Sequence, residues 1–170
     1  MSHCDKTICA VIRGLDKNRV SSVGGEQKSL NPIHYIADID VRFGDLDPYG
    51  HVNSAAYLDY VFSSRLIFAK RNLQFDCIEL MQREGLGFFV SQANVRYLRP
   101  IIGMTKISVN SWTQKISRLS LEIEFCIRDS NSGLAHAGGQ VFVVVMNLKS
   151  NKPCSLPVWA ERYFFERRTP

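Results

Sequence analysis

Between residues 43 and 57 the chain reads FGDLDPYGHVNSAAY, which gathers two carboxylates (Asp45, Asp47), an imidazole (His51), an amide (Asn53) and a hydroxyl (Ser54). Asp, Pro and Gly are turn formers, so part of this composition serves chain reversal alone. The remainder has the parts of an acyl-transfer site. Asn53 or Ser54 can cap a following helix, whose first backbone N–H groups lack intrahelical acceptors and sit at the positive end of the helix dipole. An oxyanion placed there is stabilised. Asp47, a few residues earlier, can attack a carbonyl or deprotonate water. Gly50 lets the chain turn sharply enough to bring the two groups together.

Rival chemistries fail on single residues. The spacing D-x-D-x-x-G opens like a calcium loop, but Tyr49 occupies the third ligand position and Ala56 the twelfth, where a bidentate Glu is required. Asp-x-Asp after a strand also suggests a haloacid-dehalogenase-type phosphatase, yet the downstream chain lacks alternating βα units. There is no G-x-S-x-G elbow, no P-loop and no H-E-x-x-H, and GLG at 85–87 is too little for a dinucleotide site. Asp45, nearer the preceding strand, reads as a turn or helix-start partner, and His136 as a structural or exposed residue.

The elements that must hold this junction follow from periodicity. Residues 36–43 alternate, with Ile39, Val41 and Phe43 on one face, which predicts a half-buried strand. Leu58, Val61, Phe62, Leu66 and Ala69 recur at helical spacing, with Tyr57 and Arg65 on the same side, predicting a helix over 54–72. Strands are predicted over 88–98, 106–116, 119–128 and 134–148, the last with a bulge at Gly138-Gly139, and a short helix from Pro157. Strand, one long helix, then four closely connected strands require an antiparallel sheet, an α+β fold with about five strands curled around the helix.

Composition sets the class. The chain has 170 residues, 45% hydrophobic and 22% charged, enough to bury a core as one domain. An N-terminal extension (1–32) precedes the main domain (33–170). Lys plus Arg total 21 against 16 acids, and the +5 balance is scattered, so no nucleic-acid partner is expected. Five widely spaced cysteines without a C-x-x-C pair argue against a disulfide scaffold or zinc site and for a cytoplasmic protein. Neither a bilayer span nor a secretory leader is legible.

The runs GDLDPYGHVNSAAYLDYVFSSR, NVRYLRPI and GGQVFVVVMNLKSNKPCSLP resemble the 4-hydroxybenzoyl-CoA thioesterase family of hotdog-fold acyl-CoA thioesterases. The resemblance implies a hotdog fold, a homodimer or homotetramer with the acyl pocket at a subunit interface, and no metal or redox cofactor. By position it implies that Asp47 is the catalytic carboxylate, as nucleophile or general base, and that the Ser54 backbone N–H polarises the thioester carbonyl. Gly50, His51 and Asn53 would shape the loop, and Tyr57 would lie near the substrate. Phe62 stands where many relatives carry an acidic residue, so the chemistry rests on Asp47. The substrate is an acyl-CoA or, as the closest variant, an acyl carrier protein thioester. The alternatives are a non-catalytic acyl-CoA-binding hotdog module and a hotdog hydratase, although the latter's Asp-x-Asn-Pro-x-His run is not reproduced.

Overall fold

The structure, a computed structural model, describes residues 31–166. The extension read over 1–32 lies outside the described residues except for Asn31 and Pro32. Strands β1 (His34–Asp40), β2 (Leu86–Tyr97), β3 (Lys106–Ile116), β4 (Ser120–Asp129) and β5 (Ala135–Asn147) form one antiparallel sheet ordered β1-β3-β4-β5-β2, and β6 (Lys152–Pro153) pairs with β5. The short connections leave no room for parallel crossovers.

Alternation decides the inner face. Leu121, Ile123, Phe125 and Ile127 of β4 are buried beside Ile107 and Val109 of β3 and Val141, Val143 and Val145 of β5. Each fully buried side chain of this kind stabilises the fold by about 1.5–3 kcal/mol. Three strand pairings slip by one residue, leaving Ser91, Gln114 and His136 unopposed. Such bulges bend a strand and raise its twist, and so help to curl the sheet.

The bulge in β5 therefore falls at His136, not at the glycine pair. Both ring nitrogens of His136 are buried without a hydrogen-bond partner among the described residues. Gly138 and Gly139 pair regularly with Cys126 and Phe125. They serve close packing: a Cβ on Gly139 would lie 2.0 Å from the Asn94 carbonyl oxygen and 3.0 Å from the Phe125 ring.

Helix α1 (Ala56–Asn72) runs along the inner face and packs chiefly against β1 and β3. Its buried side holds Tyr57, Tyr60, Val61, Ser64, Arg65 and Ala69, positions three and four apart. Leu58 and Phe62 are only half-buried and Leu66 is exposed, so the predicted apolar face splits into a buried stripe containing two polar residues and a half-open apolar one.

Two elements depart from expectation. The first strand ends at Asp40, and residues Phe43–Asp45 form a 3-10 turn that leaves Phe43 78% exposed instead of sharing a face with Ile39 and Val41. The cause is Asp45, whose carboxylate draws back both the backbone N–H and the guanidinium of Arg42. A second helix, α2 (Cys77–Glu84), precedes β2. The Asp76 side chain caps it by accepting from the amides of Ile78 and Glu79, and Gly85, at φ 64°, ends it in the left-handed conformation.

The segment from Pro157 is a 3-10 helix, Val158–Tyr163, and the chain after it pairs back with residues 31–33. Among the described residues no helix is long and apolar enough to cross a membrane.

Candidate active site

The loop between β1 and α1 is a miniature hairpin. The Asn53 amide donates to the Asp45 carbonyl (2.8 Å), Leu46 bridges Val52, and the Asp47 amide donates to the His51 carbonyl (2.7 Å). Asp47, Pro48, Tyr49 and Gly50 form the tip, closed by the Gly50 amide on the Asp47 carbonyl (2.9 Å), with Gly50 at φ 75°. Only glycine adopts that conformation at little cost. The hairpin is anchored from below: Val52 N–H donates to the buried Ile101, and Gly103 N–H to Gly50.

Within this frame Asp47 and Ser54 occupy opposite ends, the tip and the base where the helix begins. One oxygen of Asp47, Oδ1, accepts from the amides of Tyr49 (2.9 Å) and His51 (3.0 Å). Its second oxygen has no partner among the described residues. Neither Asn53 nor Ser54 is the N-cap residue, which is Ala55; Asn53 instead turns the chain into the helix, its Oδ1 accepting from the Ala55 amide and its carbonyl from the Ala56 amide, both at 3.0 Å. The Ser54 amide is thereby left without an acceptor among the described residues, at the dipole's positive end. The Ser54 carbonyl is fixed from the side by the Tyr97 hydroxyl (2.9 Å), which ties the end of β2 to the start of α1.

The other candidate residues divide clearly. His51 organises the loop through its backbone, and its half-buried imidazole has no partner among the described residues. Tyr57 is 3% exposed, within the core, and its ring meets Tyr97 edge-on with centroids 4.9 Å apart. Of the basic residues outside the candidate set, Lys106 pairs with Asp40 at 3.7 Å, Arg99 donates to the Ala135 carbonyl, and Arg96 is exposed.

Sequence reasoning understated Asp45. Its side chain, 10% exposed, receives two bonds from the Arg42 guanidinium at 2.8 and 2.9 Å and one from the Tyr60 hydroxyl at 2.8 Å. It therefore clamps the base of the hairpin to α1. The Arg42 bond, helped by the Tyr60 hydroxyl, holds its carboxyl below the usual carboxylate range. A folded-state pKa below the unfolded value means the stabilisation is present above about pH 3.9 and is lost as pH falls through the depressed pKa. Denaturant titrations from pH 6 to pH 2 should show this loss in wild type, and Asp45→Asn should flatten that part of the curve.

The sheet and helix together are a hotdog: a curled antiparallel sheet with one long helix against its inner face. Residues 41–164 match the Thioesterase-like superfamily, and the chain belongs to that superfamily. Over 118 residues it is 27% identical to the long-chain acyl-CoA thioesterase FadM of Escherichia coli K12, covering 69% of this chain and 87% of that one. Among solved structures it resembles a thioesterase from Thermus thermophilus complexed with coenzyme A and Zn, at 31% identity and TM-score 0.62, covering 81% and 93% of the two chains. The DHNA-CoA thioesterase from Staphylococcus aureus aligns at 25% identity and TM-score 0.68, covering 76% and 88%. Among the described residues of the present chain, no three His, Cys, Asp or Glu side chains are gathered as a metal site.

Proposed function

We propose that the protein hydrolyses acyl-CoA thioesters to the free acid and the thiol at the Asp47 and Ser54 junction. The Ser54 amide holds the carbonyl oxygen as negative charge develops on it. Asp47 supplies the attack in one of two ways. As nucleophile it bonds to the carbonyl carbon and expels the thiolate, leaving a mixed anhydride that water opens. As general base it takes a proton from water, the hydroxyl adds, and the thiolate leaves. Neither route needs a metal or redox cofactor. Gly50, His51 and Asn53 shape the loop, and Tyr57 backs the acyl group.

The observation that carries this reading is the division of labour within one carboxylate. Oδ1 of Asp47 is committed to two loop amides, while Oδ2 and the Ser54 amide are both left without an intrachain partner among the described residues. The coenzyme A carrier is favoured by the relatives, one named for acyl-CoA, one for DHNA-CoA and one complexed with coenzyme A. Within the superfamily the run D-x-D-x-x-G-H-V-N-x-x-x-Y favours the 4-hydroxybenzoyl-CoA thioesterase type.

The working unit is a homodimer or homotetramer. Strand β2 is a sheet edge carrying Phe89 and Val90 about half-exposed, and Phe43, Tyr49, Ile102 and Met104 are exposed around the site loop. Open edges and exposed apolar side chains of this kind favour pairing between copies. The scattered cysteines favour a cytoplasmic setting.

A thiol-release assay across aliphatic and aromatic acyl-CoA substrates, with an acyl carrier protein thioester beside them, tests the reading. Steady release from one or more acyl-CoA substrates is expected, together with a dimer or tetramer mass by light scattering. Tight acyl-CoA binding with no thiol release would replace the enzyme by a binding module, and hydration of an enoyl-CoA would replace it by a hydratase.

A further inference from the structure

A second feature lies on the far half of α1. Arg65 lies eleven positions beyond Ser54, about 16 Å at the helical rise per residue. Arg65 is only 9% exposed. Its terminal nitrogens donate to the Ser111 hydroxyl (3.2 Å) and the Thr113 hydroxyl (3.3 Å), and the guanidinium carbon lies 4.1 Å from the centre of the Tyr35 ring. No carboxylate lies within ion-pair reach of it among the described residues. A buried cation held by two neutral hydroxyls and one ring face has given up most of its hydration without gaining a counter-charge from the described residues. Burial pulls its pKa down to about 10, so the charge persists at neutral pH.

Arg65 forms part of the wall of a cavity of about 230 Å³ between α1 and the sheet. Phe62, Phe88 and Val143 are among the apolar side chains lining it, and the half-exposed Leu66 and Val90 mark its mouth. An apolar cavity of about 150 Å³ already admits benzene, so this one has room for a short aliphatic chain or a ring.

We infer that the cavity binds a free monocarboxylate with a short apolar tail, its carboxylate on Arg65 and its tail directed past Phe62 and Phe88 towards Leu66 and Val90. A guanidinium takes a carboxylate through two parallel N–H bonds, and the pairing removes the uncompensated charge. The ligand belongs to the class of acid that thioester hydrolysis releases, yet the site is separate from the Asp47 loop and its occupancy is independent of turnover.

Calorimetric titration of the full-length protein with octanoate and with 1-octanol tests this. Wild type should bind octanoate at least about tenfold more tightly than 1-octanol, the margin expected of a charged hydrogen bond. Arg65→Gln should erase that preference, and Asp47→Asn should leave octanoate affinity at the wild-type value. Equal affinity of wild type for the two probes, or no binding of octanoate, overturns the proposal. Loss of octanoate binding in Asp47→Asn would place the acid at the hydrolytic loop instead. Should Arg65→Gln fail to fold, the comparison of acid and alcohol on wild type and on Arg65→Lys still decides. Preferential hydrolysis of octanedioyl-CoA over octanoyl-CoA, without binding of free octanoate, would assign Arg65 to the far end of the substrate and overturn the proposal.

Discussion

Asp47→Asn is expected to lower kcat for thiol release by at least about a hundredfold, because in the proposed mechanism Asp47 is the positioned base or nucleophile, a group that contributes about 10²- to 10⁴-fold. The fold survives the change for a reason visible in the loop. Both groups that approach Oδ1 are backbone N–H donors, from Tyr49 and His51, so an asparagine must present its carbonyl oxygen to them and its NH₂ to the other side. The hairpin tip should keep its two bonds while Oδ2, the oxygen proposed to react, is replaced by a donor that can neither attack nor accept a proton. Asp47→Ala is the contrasting variant. It removes the loop bonds as well, so stability falls by about 1–3 kcal/mol in addition to the loss of activity. Equal activity of Asp47→Asn and wild type on the same substrate would remove Asp47 from the mechanism. A single turnover in ¹⁸O-labelled water that leaves label in the Asp47 side chain identifies the mixed anhydride, opened by water at the Asp47 carbonyl, since general-base attack puts label in the released acid alone.

Gly139→Ala should destabilise the protein by at least about 3 kcal/mol, at the upper end of what overpacking a core costs. Gly139 lies in β5, with Val95 of β2 on one side and Phe125 of β4 on the other. The atom that meets the new methyl at 2.0 Å is the Asn94 carbonyl oxygen, which is backbone and cannot rotate away. The Phe125 ring, wholly buried, closes the remaining space at 3.0 Å. Relief therefore requires β2 to separate from β5. Denaturant unfolding monitored by circular dichroism measures the change, and a midpoint within error of wild type would contradict the close approach. Gly138→Ala is milder, because the nearest atom to its Cβ, the Phe125 carbonyl oxygen, lies at 3.3 Å.

The sheet was legible wherever alternation was strict and turn residues stood on both sides. Lys106–Ile116 matches the strand read from its pattern end for end, and Ser120–Asp129 differs from its prediction by one residue at each end. The errors arise where a side chain overrides the periodic pattern. Phe43 continued the alternation of Ile39 and Val41, but the bidentate pull of Asp45 on Arg42 turned the chain out of the sheet first. Helix α2 is short, and its signals were its two ends: the capping Asp76 and the left-handed Gly85.

The candidate site was legible as a set of residue types because turn and cap chemistry are local. Which carboxylate clamps, and what holds the Ser54 carbonyl, depended on partners elsewhere: Tyr60 for Asp45, and the end of β2 for Ser54. Arg65 fell on the buried side of its helix by spacing alone. What it meets there, the hydroxyls of Ser111 and Thr113, depends on the inward face of β3, whose residues are far away in the chain.

The slip at Ser91, where β2 shifts register against β5 and the Ser91 hydroxyl reaches back to the Phe142 carbonyl, divides the outermost rim of the sheet into two short runs. A foreign strand laid along that rim loses step after a few rungs. Endless ribbon growth is thereby discouraged, and a closed pair of chains that needs only one of the two runs remains permitted.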